Sequence, residues 1–392
     1  MSAAGFTGHA RPKAMLHVQH LLGSGHLHRM ARIAGALDDA GFTVTLVSGG
    51  EPVSGLHYGA AELVQLPPVR TLDASFTPLV DINGNPVDAI WRAARAALLL
   101  DVFVRSAPDV LLIEMFPFGR RKFDFELTPL LDMAVRRTPR PIIAVSVRDI
   151  VTPSSKPGRT EQALSRLATY FDHVLAHGDA AFVPFTKFYP AAQLIADKLF
   201  HTGYVGPVSN ARSPEGNNEI IVSAGGGAVG QKLLHAALAA RAHSQLASNH
   251  VWRLLVGANA PAGALAELAE LNAIAPSGVI IEPARPDFPA LLHGCACSVS
   301  QAGYNSVVEV LQAGAKAVLV PFADGNELEQ SMRADTFEKA GRATVLSENH
   351  LNPENLARAV DVALRQKLPA LTIDLNGATA TAAFLRHKVL NA

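Results

Sequence analysis

Residues Ser300–Gln330 gather Gly303, Tyr304, Asn305, Ser306, Glu309, Glu329 and Gln330 around one strand–turn–helix–strand–loop–helix unit. Gly303 allows the backbone a sharp turn, and Asn305 or Ser306 can cap the helix that runs to about Ala313. The first amides of such a helix have no partner inside it and favour an anion at the turn. Glu309 lies one turn in from the cap, and Glu329 and Gln330 open a second helix after Pro321. An anion seat with carboxylates and an amide beside it suits a sugar nucleotide: phosphates on the amides, ribose hydroxyls on a carboxylate.

Two glycine-rich loops repeat the theme. Gly23-Ser24-Gly25-His26 leaves the first strand and opens the first helix, with Arg29 and Arg32 further along it. The glycines let backbone approach a ligand, and His26 stands at the loop's mouth as a base, a ligand contact, or a helix-start histidine bonded to a carbonyl. Ser223–Gly230 contains Gly225, Gly226 and Gly227 in succession. Three consecutive glycines are costly to order, which favours phosphate or sugar contact over a plain tight turn.

Other candidates end strands. Glu114 can be a catalytic carboxylate or the partner of Arg120. It begins a segment in which Phe116, Phe118 and Phe123 surround Arg120, Arg121 and Lys122. That segment reads as an acceptor or membrane-surface patch, or as a loop with inward aromatics and solvated cations. Asp149 and Asp179 can serve as a base, orient His26, or cap helices.

These residues need a scaffold that brings strand ends together. Short β-branched runs alternate with alanine-rich helical stretches, the pattern of parallel sheets covered by helices on both faces. The first series has strands near 14–18, 44–48, 109–113, 142–146 and 173–176; a second begins after the polar run Asn210–Asn218, near 219–223, 252–257, 279–281, 297–300, 317–320 and 343–345. The expectation is an α/β protein of two doubly wound, Rossmann-like domains facing a cleft: 1–205, 206–375, and a C-terminal helix at 376–392 packing back on the first. Ligands in such sheets sit beyond the carboxyl ends of the strands, where the loops above fall.

Composition narrows the chemistry. The 392 residues carry 34 Lys+Arg against 34 Asp+Glu, so there is no basic footprint for nucleic acid. The two cysteines, Cys295 and Cys297, are too close to staple the fold and point to a reducing compartment. No basic segment followed by an apolar core begins the chain, and the apolar helix near Ala93–Val104 is too short to span a bilayer, so a cytoplasmic protein is expected. Metal-ligand spacing, a Walker loop, a dinucleotide fingerprint and a serine-hydrolase elbow are all missing from the sequence, so neither a metal nor a resident cofactor is expected.

Gly225–Gly227, the Gly303–Glu309 turn and helix, the Ala313–Phe322 run ending Val-Pro-Phe, and Glu329-Gln330 together resemble the GT-B glycosyltransferases, and within them glycosyltransferase family 28, typified by the N-acetylglucosaminyltransferase of the lipid-linked peptidoglycan precursor. Gly23–His26 supports the resemblance in the first half; the rest of that half matches in architecture alone. The resemblance implies an inverting, metal-independent transfer from a nucleoside-diphosphate sugar, of the uridine type, to a hydroxyl of a glycan or lipid-linked glycan, in polysaccharide biosynthesis. It places ribose on Glu309, diphosphate on Gly303–Ser306, donor sugar on Glu329 and Gln330, and the base against backbone at Ala284–Arg285. Acceptor and catalytic base fall to the first domain, with His26 ahead of Asp149, Glu114 and Asp179, the acceptor-side loops being Gly23–Gly25, Phe118 with Arg120, and Asp179. Peripheral contact at the inner membrane face is compatible with this.

The sequence departs from the family pattern at Ala302, where serine is usual, in the loop at Gly23–His26, which is one glycine shorter, and in Phe116–Arg121, which the pattern lacks. The family's acceptor is therefore not carried over. A nucleotide-sugar hydrolase of the same fold, or a non-catalytic sugar-nucleotide-binding protein, are the alternative readings.

Overall fold

The computed structural model describes residues 11–21, 23–71, 78–154, 156–207, 211–225, 230–257, 260–273, 278–322, 328–370 and 372–391. In the first half, β1 (Lys13–Val18), α1 (Gly25–Asp39), β2 (Thr43–Ser48) and β3 (Glu62–Gln65) precede a small antiparallel pair, β4 (Arg70–Thr71) and β5 (Leu79–Val80). There follow α2 (Ala89–Ser106), β6 (Val110–Glu114), α3 (Asp124–Arg136), β7 (Ile142–Arg148), α4 (Arg159–Tyr170), β8 (His173–His177), α5 (Phe185–Phe188) and β9 (Leu199–His201). Among the described residues the main sheet is seven-stranded and parallel, in the order β3-β2-β1-β6-β7-β8-β9.

The second half supplies β10 (Ile220–Ser223), α6 (Gln231–His243), β11 (Trp252–Val256), α7 (Ala264–Ala273), β12 (Val279–Pro283), α8 (Phe288–Leu292), β13 (Cys297–Ser300), α9 (Tyr304–Ala313), β14 (Ala317–Leu319), α10 (Glu329–Lys339), β15 (Thr344–Val345) and α11 (Pro353–Arg365). Its sheet, six-stranded among the described residues and parallel, runs β12-β11-β10-β13-β14-β15. Both sheets are doubly wound, as the alternation of β-branched and alanine-rich segments implies. β1, β6, β10 and β13 are central strands covered on both faces, which is why Val110–Ile113 and Ile220–Val222 read as continuous apolar runs, while β13 buries two serines as well.

The order of each sheet reverses at one point: between β1 and β6 in the first, between β10 and β13 in the second. A crevice opens there because the flanking crossovers leave on opposite faces. The loops at the two crevices are those after β1 and β6, carrying His26 and Glu114, and those after β10 and β13, carrying Gly225 and Gly303. Topology therefore selects the same loops that composition marked.

The chain passes between the halves twice. Val205 leaves the first sheet and forms an antiparallel bridge with Asn376 on the returning strand, flanked by Tyr204 N–H to Asp374 O at 2.8 Å and Gly377 N–H to Tyr204 O at 2.9 Å. The final helix, α12 (Gly377–Leu390), then packs on α1 through Ala382 and Leu385, with Phe384 stacked on Phe200 at 4.2 Å. Glycine is obligatory where this helix begins: a Cβ on Gly377 would sit 2.3 Å from Gly203 O.

Several elements differ from the sequence expectation. β3, β4, β5 and β9 were not anticipated. β3 is an edge strand with three of its four residues exposed, so it lacks an apolar run to read, and the others are two or three residues long. The cap of α9 is Gly303, not Asn305 or Ser306; no side chain caps this helix among the described residues. Gly303 is extended (φ −63°, ψ 148°), so no left-handed turn requires a glycine there.

Candidate active site

α1 begins at the first crevice and presents His26, Arg29 and Arg32 at three-residue spacing along its length. His26 and Arg29 both reach Glu114 at the end of β6. Nδ1 of His26 donates to Oε1 of Glu114, and Nη2 of Arg29 donates to the same oxygen at 2.5 Å. Nη2 of Arg120 stands 3.6 Å from Oε2. Burial alone would push the Glu114 carboxyl up, but His26, Arg120 and Arg29 outweigh it and hold it well below the usual carboxylate range. Burial, then the charge of Arg148, lower the His26 imidazole well below its ordinary value, against the opposing pull of Glu114.

The dyad is therefore a neutral imidazole on an ionised carboxylate. Glu114 accepts the Nδ1 proton and so fixes the tautomer that leaves Nε2 with its lone pair. With 13% of its side chain accessible, His26 is the exposed member of the pair. Nη2 of Arg148, from the end of β7, donates to this Nε2.

Across the cleft, the N-terminus of α9 and the carboxylates Glu309 and Glu329 face these groups. Asn305 Nδ2 donates to Gly25 O at 3.0 Å, so the start of α9 lies directly against the start of α1. Close approach explains Gly25, where a Cβ would meet Asn305 Nδ2 at 3.1 Å. A Cβ on Gly303 would meet nothing within 4 Å among the described residues. Glycine there keeps space free beside the unpaired amides of Tyr304, Asn305 and Ser306, which is what an anion seat needs.

Glu309 is held by Arg32 at 2.7 Å and Glu329 by Arg148 at 3.0 Å, each an ion pair between the halves. Burial, opposed by Arg32, raises the Glu309 carboxyl above its ordinary value. Gln330 turns its Oε1 back to accept from Phe322 N–H at 3.2 Å, bracing the segment that Pro321 starts.

Other candidates prove structural. Asp149 is 1% exposed, and its oxygens accept Arg333 at 2.6 and 2.9 Å, Tyr204 Oη at 3.3 Å and Ile150 N–H at 2.9 Å. It has no oxygen to offer an acceptor hydroxyl and is corrected from candidate base to interdomain tie. Asp179 accepts Ala181 N–H and Asp374 N–H, so it anchors the returning strand rather than the acceptor. The Tyr304 side chain is buried, and its hydroxyl donates to His177 O at 2.9 Å and accepts Val205 N–H at 2.9 Å; the side chain rivets the halves, while the Tyr304 amide stays at the start of α9.

Phe118 packs edge-on against Tyr189 at 5.3 Å and Phe185 at 6.1 Å, so the aromatic–basic loop turns its aromatic inward and offers Arg120 to Glu114. The Arg285 side chain is occupied by Asp287, Glu282 and Glu215, leaving only its backbone for a nucleobase. Gly225 has the left-handed φ of +69° that favours glycine, and its N–H donates to Ser223 Oγ at 3.2 Å. Gly226 and Gly227 lie outside the described residues. Gly23 and Ser24 form the entry to α1, Ser24 O accepting His28 N–H at 3.0 Å. Among the described residues no three His, Cys, Asp or Glu side chains converge as a metal-ligand set.

Sequence reasoning passed over the arginines. In the sequence Arg29 and Arg32 show only as residues of the first helix, and Arg148 and Arg333 belong to no motif. Their signal was spacing: three and six residues after His26 for the first two, and four after Glu329 for Arg333. A cation on a helix face is so common that its partner in the other half cannot be guessed.

Residues 221–383 match the glycosyltransferase family 28 C-terminal domain. The match lies entirely within the second half and takes in β10 to β15 and the start of the returning helix. The UDP-N-acetylglucosamine–N-acetylmuramyl-(pentapeptide) pyrophosphoryl-undecaprenol N-acetylglucosamine transferase of Xanthomonas axonopodis pv. citri is 27% identical over 98% of this chain and 82% of its own length. The enzyme of the same name from Lactobacillus johnsonii is 34% identical over 85 residues, a match spanning 22% of this chain and 23% of the relative. Among solved structures, the calicheamicin glycosyltransferase CalG4 superimposes with a TM-score of 0.60 at 14% identity over 97% of this chain and 95% of its own. MurG of Acinetobacter baumannii gives 0.57 at 15% identity over 97% and 99%. The fold is thus GT-B over both halves, and the half similar to the family 28 C-terminal domain is the one that the resemblance assigned to the donor.

Proposed function

We propose that the protein is an inverting glycosyltransferase that moves a sugar from a nucleoside-diphosphate sugar, of the uridine type, to a hydroxyl of an acceptor held by the first half. The observation that carries this reading is the His26–Glu114 dyad. It presents a neutral Nε2 toward the cleft, opposite the start of a family 28 α9 and Glu309. The names of the relatives support uridine as the nucleoside, and a glycan or lipid-linked glycan as the acceptor class.

In one displacement the acceptor oxygen forms its bond to the anomeric carbon as the bond from that carbon to the diphosphate oxygen breaks. His26 Nε2 takes the hydroxyl proton, and the imidazolium that forms is stabilised by Glu114, already ionised. The electron pair leaves with the diphosphate onto the α9 amides, a preorganised seat that needs no rearrangement during the step. Glu309 accepts the ribose hydroxyls and Glu329 with Gln330 the donor sugar. Charge stabilisation in this reading comes from amides and guanidinium groups, with no resident cofactor, and the reaction is placed in the cytoplasm, at the inner membrane face if the acceptor is lipid-linked. No helix among the described residues is long and apolar enough to cross a membrane.

A thermal-shift panel of nucleoside diphosphates and their sugars tests the donor, because a ligand that binds only the folded state raises its melting temperature. Uridine compounds should shift the transition most. A flat response across the panel would overturn the reading. Release of nucleoside diphosphate that requires an added acceptor then separates transfer from hydrolysis.

A further inference from the structure

The geometry points to Arg148 as a donor-responsive residue. Its guanidinium bridges His26 Nε2 and Glu329; a donor's diphosphate competes with both for it, the donor sugar takes Glu329 in its place, and the exchange uncovers the base. This rests on the reading above and adds an order of events to it.

Three observations support it. First, Arg148 spends one nitrogen, Nη2, on the lone pair that His26 needs for catalysis and the other, Nη1, on Glu329 Oε2 at 3.0 Å. With that guanidinium in place His26 cannot accept a proton. Second, the neighbouring cation differs. Arg333 is fully buried and held in bidentate fashion by Asp149, whereas Arg148 remains 23% exposed on single contacts. Of the two arginines on Glu329, only Arg148 can move at small cost. Third, the arrangement is repeated: Arg32 holds Glu309 as Arg148 holds Glu329, each arginine coming from the first half.

Both carboxylates assigned to donor hydroxyls are therefore paired with cations that a donor must displace. A diphosphate carries more negative charge than one carboxylate and receives a planar guanidinium well. Exchange of partners keeps every charge paired: Glu329 retains Arg333 at 3.2 Å and gains hydroxyl hydrogen bonds, the diphosphate takes Arg148, and Nε2 becomes free. His26 would then be unmasked only with donor in place, which limits unproductive proton uptake before the sugar is seated.

The test uses UDP and the full chain. Isothermal titration measures UDP affinity for the wild type and for Arg148→Ala, Arg148→Lys, Glu329→Ala and the Arg148→Ala/Glu329→Ala pair. Diethyl pyrocarbonate, which acylates a free ring nitrogen, reports on His26 by peptide mass spectrometry, and circular dichroism checks that each variant is folded. Arg148→Ala should weaken UDP binding by about tenfold or more and speed acylation of His26 several-fold, with Arg148→Lys partly restoring both. Glu329→Ala should bind UDP, which has no sugar to lose, more tightly than the wild type, and that gain should vanish in the double variant.

A merely structural Arg148 would not produce this non-additivity. Unchanged acylation of His26 in Arg148→Ala, or a gain in Glu329→Ala that survives loss of Arg148, overturns the inference. Absence of UDP binding to the wild type overturns the donor reading itself, and the titration registers it before any variant is compared.

Discussion

Arg32 on α1 and Glu309 on α9 meet at 2.7 Å, so the carboxylate assigned to the donor ribose is held by the opposite half of the molecule. Burial raises this carboxyl and the Arg32 charge opposes the rise, leaving the side chain 12% exposed and dependent on a hydrogen-bonding partner. Ribose hydroxyls would replace one partner by another at the same oxygens.

Glu309→Ala should therefore weaken UDP binding by about ten- to a hundredfold, the scale of a lost hydrogen bond to a charged group. Titration calorimetry measures it. Affinity within twofold of the wild type would remove Glu309 from the donor site.

His26→Ala should lower kcat by about 10²- to 10⁴-fold, the range of general base catalysis, with UDP affinity little changed. Steady-state kinetics beside calorimetry separates the two quantities. Full turnover in the variant would reassign the base.

The pH profile carries a sign. His26 is lowered well below 6.5, by burial first and by Arg148 second, while Glu114 pulls it up. Because protonation of the base ends activity, the acidic limb of kcat/KM should lie below pH 6.5 in the free enzyme. Glu114→Gln removes the raising charge and should move that limb lower still, with a reduced plateau because the imidazolium loses its partner. A limb at or above pH 6.5 in the wild type would contradict the neutral dyad.

Gly303→Ala separates binding from folding. The backbone is extended and a Cβ meets nothing within 4 Å among the described residues, so the substitution should preserve the fold, the entropy gain of about 0.4–1 kcal/mol from restricting the unfolded chain being offset by the poorer cap. The methyl group would enter the space beside the α9 amides and reduce UDP affinity. A stable variant with undiminished affinity would place the diphosphate elsewhere.

Asp149 and Arg333 form a bidentate ion pair with no exposed surface on either side chain. Asp149→Asn or Arg333→Leu strands one buried charge and should cost about 3–5 kcal/mol, read as a lower denaturant midpoint. A change below 1 kcal/mol by the same reasoning would mean that the pair is not a tie between the halves.

The architecture was legible because strands such as Leu111–Ile113 and Ile220–Val222 are buried on both faces and must be continuously apolar. The edge strand at Glu62–Gln65 has no such demand and left no trace. His26 and the Gly303–Glu309 helix were visible for a related reason: loops at the carboxyl ends of central strands have few residues, and polar ones stand out. The sequence leaves two readings open for Glu114, and the structure sets its carboxylate against both His26 and Arg120. Asp149 does not read as a tie from the sequence, because a buried carboxylate at an interdomain contact has the same sequence signature as one at a ligand site. Arg148 was unreadable for a deeper reason, since its two partners lie 122 and 181 residues away and in different halves.

The double crossing at Val205 and Asn376 has a mechanical meaning. A single strand would be a tether, free to swivel and twist. Two strands bonded side by side act as a hinge with two pins: they admit swing about one axis and resist torsion about the other two. A swing about such a hinge would bring Arg32 back to Glu309 and Arg148 back to Glu329 in the same register, with no search. Cutting one pin, for example by opening the chain at the Asp374–Gly377 return, would leave both halves folded and turn a reproducible closure into a diffusive one.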